Sequence, residues 1–360
     1  MTPTFDELVA EGLYDPGAPD HELRRALLER ALAAGAGLDE IRQACDEGWL
    51  HVIPARVAIL GGAPSLSVEE VAARAGVSAE LGARLWDAAR LTRRSSVECV
   101  EDDVAIFEFY ATVLPLFGEE ETLQVASVQG AVLATMADDE VSKVRSVLEA
   151  PQRVEGADNV AVGELMEAVT SQFVDLLERA VARLLRHHLM ASGRRYTLWG
   201  PPTQEGTADV VVGFADLVGF TALGQTLEPT QIDALLRTFE ARAAGEATGA
   251  STRLVKLIGD EAMFVAKSTD DALAIAHALL DDPDVPPLRV GIAAGEVMTR
   301  GGDVFGAPVN LAARLVATAR PGEILVDAVA AARASDAIVL ESRGPRELPG
   351  FADPVEVYAG

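Results

Sequence analysis

The spacing of apolar residues divides this chain into a helical first half and a second half that mixes strands with helices. In residues 1 to about 190, apolar positions recur every three or four residues, which is the period of an amphipathic helix. The most regular stretch, residues 162–190, carries an apolar stripe wide enough to pack against another helix, from the same chain or a second copy. The pattern therefore predicts an all-α domain over residues 1–190 and a linker over residues 191–206.

The pattern changes after residue 206. An apolar run at residues 208–214 is typical of a buried strand, and a hairpin signal follows at residues 254–265. Strands that alternate with helices around one hairpin predict a βαββαβ core of the ferredoxin-like type, in a domain spanning residues 207–360. The expected fold class is thus α+β. Further strands are predicted at residues 287–295, 323–327, 338–342 and 355–358, and helices at residues 230–247, 269–280 and 308–319.

The hairpin has an unusual polar content for its apolar setting. Leu254, Lys256 and Ile258 alternate along its first strand and are expected on one face, while Gly259 and Asp260 form the turn. A purely structural hairpin needs neither a lysine on an apolar face nor an acidic pair at its turn. A cation on the strand and a carboxylate at its end suit a site for an anionic, metal-bound substrate, which is a first indication of phosphate chemistry.

Residues 66–81 resemble the helix-turn-helix of bacterial DNA-binding regulators. Ser67 and Glu70 form a capping box, and Gly76 begins a tight turn before the second helix. That helix would begin Ala-Glu-Leu-Gly-Ala, which offers no side chain suited to base edges, and Glu80 would repel phosphate. We therefore favour a packing role, with a DNA-binding regulator as the alternative.

Two further features of the helical half bear on regulation. Aromatic residues concentrate at residues 107–117, where they form part of a core or line a pocket for a lipid or small molecule, and we favour the core. His187 and His188, at the predicted end of the long helix, are candidate regulatory residues because histidine titrates near neutral pH. The alternative is that both histidines are solvated residues at a helix end.

The composition narrows the range of partners. A formal net charge of −26 opposes attraction to nucleic acid and to anionic membranes, so we expect neither a nucleic-acid partner nor stable membrane insertion. Cys45 and Cys99 lack the spacing of a disulfide framework or a metal site, and we interpret them as free thiols. No run of about 18 apolar residues and no signal-peptide pattern is present, which favours a cytoplasmic protein.

Polar residues follow the predicted strands of the second half in four segments. The first ends a strand with a carboxylate and continues into a Gly-Phe-Thr turn, whose backbone N–H groups suit phosphate. The last places an amide and a guanidinium four residues apart on one helix face. Taken singly, each residue is also explained as a turn residue, a cap or a solvated side chain. The candidates are Asp216, Gly219, Phe220, Thr221, Lys256, Asp260, Asp303, Asn310 and Arg314.

Together these segments resemble the catalytic domain of the class III nucleotide cyclases, the family of the adenylate and guanylate cyclases. The resemblance rests on Phe-Ala-Asp-Leu-Val-Gly-Phe-Thr at residues 214–221 and Lys-Leu-Ile-Gly-Asp at residues 256–260. It continues with Arg-Val-Gly-Ile-Ala-Ala-Gly-Glu-Val at residues 289–297, and with Gly-Asp-Val-Phe-Gly-Ala-Pro-Val-Asn-Leu-Ala-Ala-Arg at residues 302–314. It implies conversion of ATP to 3′,5′-cyclic AMP and pyrophosphate.

The resemblance also implies a role for each residue. Asp216 and Asp260 would hold two Mg²⁺ or Mn²⁺ ions, hard cations that prefer oxygen ligands. Lys256 of the hairpin and Asp303 of residues 302–314 would read adenine rather than guanine. This favours an adenylate cyclase over a guanylate cyclase, the alternative within the family. On the helix, Asn310 would orient the ribose and Arg314 would stabilise charge on the α-phosphate. The base-reading pair is Lys256 and Asp303.

Two expectations concern assembly and control. Family members share each site between two copies, which implies a homodimer. The helical half resembles, more loosely, the regulatory domains of actinobacterial cyclases, which implies control by a proton or lipid signal. One departure stands out, since Pro349 occupies the place where relatives carry a cation for the triphosphate, leaving Arg343 or Arg346 as substitutes.

Overall fold

A computed structural model describes residues 2–91, 98–199 and 206–360, apart from the side chains of residues 221 and 222. The chain forms two compact units, Met1–Leu184 and Leu185–Gly360. Among the helices in the described ranges, none is long and apolar enough to cross a membrane.

The first unit is built of helices. Short 3₁₀ turns occur at Leu50–Val52 and Glu101–Asp103, and a π-helical segment at Arg145–Glu149 follows the longest helix that lies wholly in this unit. The α-helices are α1 Phe5–Ala10, α2 His21–Ala33, α3 Leu38–Glu47, α4 Ile53–Leu60, α5 Val68–Arg74, α6 Ala79–Ala88, α7 Val104–Phe117, α8 Glu119–Val144, α9 Ala150–Val154 and α10 Asn159–Trp199. They enclose two apolar clusters, one among α1 to α4 and one among α5 to α8.

The helix-turn-helix pattern is an element of this core. The Ser67–Glu70 capping box opens α5 as predicted, and Gly76 adopts a left-handed φ of 75° in the turn before α6. Both helices bury apolar side chains, including Leu85 and Trp86 of α6. They approach so closely at Gly82 that an added Cβ would lie 2.5 Å from the Cβ of Ala72. The packing interpretation accounts for this geometry.

The aromatic cluster at residues 107–117 is divided by the helical period of α7. Phe107 and Tyr110 are buried, and the Tyr110 hydroxyl donates to Gln129 of α8 at 3.0 Å. Phe109 and Phe117 lie on another part of the helix surface and are 45% and 54% exposed. The core interpretation is therefore right for one side of the helix and wrong for the other.

The helix predicted at residues 162–190 is longer than expected, and the predicted linker is largely helical. It runs on as α10 to Trp199, through Gly193 and beyond the predicted end at residue 190. A single glycine inside a helix costs only about 1 kcal/mol relative to alanine. Packing of Trp199 against the apolar core of the second unit outweighs this, and Lys267 Nζ donates to its carbonyl oxygen at 2.8 Å. The rest of the predicted linker, residues 200–205, lies outside the described residues.

The second unit is an α+β fold around one sheet, as predicted. The strands are β1 Thr207–Leu217, β2 Thr252–Ile258, β3 Glu261–Ala266, β4 Leu288–Arg300, β5 Asp303–Phe305, β6 Ile324–Asp327, β7 Glu341–Arg346 and β8 Val355–Ala359. The helices are α11 Phe220–Leu223, α12 Pro229–Ala247, α13 Thr269–Asp281, α14 Ala307–Thr318 and α15 Ala328–Arg333. Strand order is β2-β3-β1-β4-β6-β8-β7, with β5 paired to β4. The antiparallel order β2-β3-β1-β4, with α12 and α13 as crossovers, is the ferredoxin-like arrangement.

Both faces of this sheet are covered, because side chains of the long strand β1 alternate between two cores. Val211 and Ala215 point into the cluster that contains α12 and α13. Val212 and Phe214 point into the cluster that contains α14. By the same alternation Asp216 points to the α14 side, so the candidate site is expected on that face of the sheet.

Candidate active site

The two predicted metal carboxylates lie at the same end of the sheet. Asp216 is the last but one residue of β1, where its cross-strand neighbours are Glu261 of β3 and Arg289 of β4. Asp260 occupies the β2–β3 turn, and its backbone oxygen accepts the N–H of Leu217 at 3.1 Å. The turn is thereby held against the end of β1, which places both aspartates around one position.

A third carboxylate joins this pair. Glu261 is half-buried, and burial raises its pKa to about 7, with the charges of Asp216 and Asp260 adding to the effect and Arg289 opposing it. Such mutual repulsion is relieved when a divalent cation binds, so the electrostatics of this corner favour cations. The acidic pair at the turn is visible in the sequence, but its proximity to Asp216 depends on the β1–β3 register.

Arg289 is a site residue that the sequence reasoning missed. Its Nε and Nη2 donate to Asp216 Oδ2 at 2.8 and 2.7 Å, and its Nη1 donates to the Ala317 carbonyl at 3.1 Å. It therefore joins Asp216 to the end of α14. One signal was available, since Arg289 is the lone charge in the first half of an otherwise apolar strand.

The donor chemistry of this corner fits Mg²⁺ or Mn²⁺. Asp216 and Asp260 offer hard carboxylate oxygens, the ligands that these ions prefer. Within the described part of the chain, no group of three or more His, Cys, Asp or Glu side chains is arranged to hold a metal ion by itself. The remaining coordination positions would fall to water and to substrate phosphates, which is common for Mg²⁺.

The predicted base-reading pair is assembled within one chain. Lys256 Nζ donates to Asp303 Oδ2 at 2.5 Å and lies 6.0 Å from the ring centre of Phe305. Asp303 Oδ1 accepts the N–H of Val304 at 2.8 Å, which orients the carboxylate. Both side chains are partly exposed, at 39% and 27%, so a planar base has access to them.

The expected face of Lys256 needs a correction. A β-bulge between Leu254 and Lys256 shifts the register of β2 against β3. Leu254 consequently packs toward α12 and α13, whereas Lys256 lies opposite Met263 on the α14 side. Sequence alternation had placed the two residues together, and the extra residue of the bulge redirects the lysine.

Asn310 and Arg314 lie one turn apart on the exposed face of α14. The opposite face of this helix is buried against the sheet through residues such as Ala312 and Leu315. The helix packs directly on the β4 backbone, since a Cβ added at Gly291 would lie 2.4 Å from the Ala312 oxygen. Neither Asn310 nor Arg314 makes a side-chain hydrogen bond or ion pair with another described residue, and both are therefore available to a ligand.

The predicted phosphate turn follows β1. Gly219 has a left-handed φ of 76°, which favours glycine, and the four-residue helix α11 begins at Phe220. The Phe220 side chain packs against the α12–α13 core, so this residue anchors the turn. The side chain of Thr221 lies outside the described residues.

The candidate cations for the triphosphate differ in their partners. Arg343 is paired with Glu341 and Glu323. Arg346 is half-buried near the end of β7, before the loop that contains Pro349. Arg289 contacts Asp216 directly, unlike these two.

The structure thus forms three groups from the predicted site residues: Asp216 with Asp260, Lys256 with Asp303, and Asn310 with Arg314. Among the described residues, no side-chain hydrogen bond or ion pair joins one group to another. All three belong to the sheet and the helix α14 that packs on it.

Comparison with known proteins decides the family. No family model matches the chain. An adenylate cyclase of Streptomyces coelicolor is 34% identical over 280 residues, covering 75% of this chain and 71% of that protein. A pH-sensitive adenylate cyclase of Mycobacterium tuberculosis is 30% identical over 374 residues, covering 98% of this chain and 91% of that protein. This chain belongs to the class III adenylate cyclases.

Two further similarities are found. An uncharacterised protein of Mycobacterium tuberculosis is 32% identical over 360 residues, covering 98% of this chain. Among solved structures, an adenylyl cyclase of P. aeruginosa is 24% identical over 42% of this chain and 93% of its own, with a TM-score of 0.36. The cyclase family and the enzyme class predicted from the motifs are confirmed, while the role of each side chain stays a prediction.

Proposed function

We propose that this cyclase converts ATP to 3′,5′-cyclic AMP and pyrophosphate in a homodimer. The observation that carries the proposal is the contrast between the Lys256–Asp303 pair, assembled in one chain, and Arg314, which points away from the sheet that carries Asp216. Each copy therefore holds the parts of two half-sites.

The base-reading pair supports ATP over GTP as substrate. The Lys256 ammonium donates to the N1 acceptor of adenine, and the Asp303 carboxylate accepts from its N6 amino group. Guanine presents the reverse pattern at N1 and O6, so both protein groups would lose their partners. A buried polar group left unpaired in this way penalises the wrong substrate heavily.

The chain's own residues supply positioning and charge for the reaction. Asp216 and Asp260 would hold two divalent ions, which would supply Lewis acidity for deprotonating the ribose 3′-hydroxyl and positive charge for the developing phosphate anion. Asn310 holds the ribose so that the hydroxyl lies in line with the α-phosphorus. Arg314 stabilises the charge that grows on the α-phosphate oxygens, and Arg289 holds the Asp216 carboxylate in place.

The arrangement of α14 supports a site shared by two copies. Its buried face packs on the sheet, so Asn310 and Arg314 project from the outer face. A guanidinium on the exposed face of α14, with no partner among the described residues, suits a reaction in which it acts on the substrate of a second copy. Two equivalent sites follow from a two-fold symmetric pair.

We further propose that the helical unit regulates catalysis through α10, which starts among the helices of the first unit and ends against the core of the second. Arg30 binds Glu164 and Glu167 near its start, and the Trp199 backbone is held by Lys267 at its end. A change in this helix would displace catalytic groups, and a displacement of about 1 Å costs on the order of 10²-fold in rate.

The first experiment identifies the product. Purified full-length protein is incubated with ATP or with GTP in the presence of Mn²⁺, and the nucleotides are separated. Cyclic AMP from ATP supports the proposal. Cyclic GMP formed from GTP in excess over cyclic AMP would instead make the chain a guanylate cyclase, and turnover of neither nucleotide would contradict the proposal.

The second experiment tests the shared site by co-expressing Asp260→Ala and Arg314→Ala chains. Each is expected to be inactive alone. Random pairing leaves one intact site in half of the dimers, so about a quarter of the normal activity should return. Two inactive variants that stay inactive together would rule out sites built from two copies.

The regulatory proposal is tested by inserting alanines after His188, in the exposed part of α10. One added residue rotates the part of the helix that follows by about 100° about the helix axis. Four added residues return that part to within about 40° of its original orientation. Activity should change more with one residue than with four. Equal activity in both variants and in the unaltered chain would exclude control through this helix.

A further inference from the structure

The turn before Asp303 consists of two glycines. Arg300 of β4 pairs with Asp303 of β5, so only Gly301 and Gly302 connect the two strands. Both glycines have left-handed φ values, 58° and 79°, as a two-residue hairpin turn requires. Glycine has the largest conformational freedom to lose, so this turn does not by its own preference hold the Asp303 carboxylate in one place.

Arg253 restrains this turn from the neighbouring strand. Its Nη1 donates to the Gly302 carbonyl oxygen at 2.5 Å, one residue before Asp303. Lys256, on the same strand, contacts Asp303. Two cations of β2 thus bind consecutive residues of one turn.

The β-bulge explains how both side chains reach it. Residues three apart in a regular strand point to opposite faces of a sheet. The bulge between Leu254 and Lys256 adds one position, so that Arg253, opposite Val265, and Lys256, opposite Met263, both lie on the α14 face. Without the bulge, one of the two cations would point toward α12 and α13.

The surroundings of Arg253 make the contact firm. The side chain is half-buried, and burial lowers its pKa, with Tyr196 and Asp303 opposing the shift and Arg195 adding to it. Guanidinium remains protonated under all ordinary conditions, so the bond to the carbonyl is charge-assisted.

We infer that Arg253 is a positioning residue for base recognition, which holds the Gly301–Gly302 turn so that Asp303 stays aligned with Lys256. The inference rests on the proposed function, because it concerns the pair that distinguishes ATP from GTP. Arg253 acts through Gly302 and Asp303 and does not itself contact the base.

The test compares full-length variants by steady-state kinetics with Mn²⁺ and either ATP or GTP. Arg253→Met keeps the length of the side chain and removes its donors. The ratio of kcat/KM for ATP to that for GTP should fall by about 10-fold, chiefly through a higher KM for ATP. Arg253→Lys should recover part of the ratio, since an ammonium still donates to the carbonyl. The control is Arg333→Met, which removes a more exposed arginine that binds Asp209 at 2.8 Å and should leave the ratio unchanged.

A double-mutant cycle separates positioning from a general structural effect. In an Asp303→Asn background the pair is already impaired, so Arg253→Met should lower the ratio little further. The inference is overturned if Arg253→Met lowers the ratio as much in the Asp303→Asn background as in the unaltered chain. It is also overturned if Arg253→Met alone leaves the ratio unchanged. If thermal melting shows that Arg253→Met does not fold, Arg253→Lys replaces it, in the unaltered chain and in the Asp303→Asn variant. The change in the ATP-to-GTP ratio of kcat/KM is then compared between these two backgrounds in the same way. An unaltered chain that turns over neither nucleotide overturns the proposed function as well, whereas normal turnover with an unchanged ratio overturns only the role of Arg253.

Discussion

The two units use their charged residues differently. In the C-terminal unit, Lys256 pairs with Asp303 and Arg289 with Asp216, on the face of the sheet that carries α14. In the N-terminal unit, pairs such as Arg56 with Glu40 connect one helix to another. The C-terminal pairs lie where a ligand has access to them, and the N-terminal pairs hold neighbouring helices together.

This contrast teaches where function should be separable from stability. Charges that meet at strand ends and a two-residue turn contribute little to the apolar cores on either side of the sheet. Charge pairs between helices hold together the helices that enclose the N-terminal cores. Substitutions in the first set should change catalysis at nearly constant melting temperature, and substitutions in the second should do the reverse.

The largest effect is expected for Asp260→Ala. If Asp260 binds metal as proposed, its loss should lower kcat on the order of 10³-fold or more. The melting temperature should stay constant or rise, because one of the charges that repel Glu261 is removed. Asp209→Ala, which removes an exposed carboxylate from the start of β1, is the matched control and should retain activity. A large fall in the melting temperature of Asp260→Ala would break the separation of function from stability.

The next effect concerns substrate choice. Replacing Lys256 with Glu and Asp303 with Cys reverses the hydrogen-bonding pattern offered to the base. The ratio of kcat/KM for ATP to that for GTP should fall by about 10² to 10⁴-fold. Initial rates with both nucleotides measure this. A double variant that still prefers ATP as strongly as the unaltered chain would show that base reading lies elsewhere.

A moderate effect on stability is expected for Arg56→Met. Arg56 Nη1 lies 2.8 Å from Glu40 Oε1, and the two side chains are only 29% and 21% exposed. Removing the arginine leaves a half-buried carboxylate without its partner, at a cost of about 1–3 kcal/mol. Chemical denaturation measures the loss. In comparison, Arg25→Met breaks an exposed pair with Glu29 and should cost clearly less stability than Arg56→Met. Equal losses would show that burial does not set the strength of these pairs.

The smallest effect concerns the pH dependence of stability. His51 Nδ1 is buried and has no hydrogen-bond partner among the described residues. Burial lowers the pKa of His51, with Arg153 adding to the shift, Glu149 opposing it and Arg145 adding further. The unfolded chain therefore binds this proton more readily than the folded chain, and the histidine makes stability fall as the pH drops below about 6.5.

His51→Gln should weaken that dependence. Between about pH 7.5 and about pH 5.5 the melting temperature of this variant should fall less than that of the unaltered chain. His188→Gln, at an exposed position of α10, should follow the unaltered chain. Identical pH profiles for all three proteins would remove His51 as a source of acid sensitivity.

Local patterns were enough for much of this protein. The helical period places Asn310 and Arg314 on one face of α14, and the apolar run of β1 places Asp216 at a strand end, because both arrangements depend on residues close together in the chain. The order of strands and helices was likewise sufficient for the ferredoxin-like core.

Contacts between distant residues depended on the folded chain. Arg289 meets Asp216 from 73 residues away, and Arg253 meets Gly302 from 49 residues away, through strand registers that no local pattern specifies. The bulge that turns Lys256 to the α14 face and the packing that extends α10 to Trp199 are of the same kind. Apolar periodicity reports which face of an element is buried, whereas the partner of each polar side chain is set by how the elements pair in three dimensions.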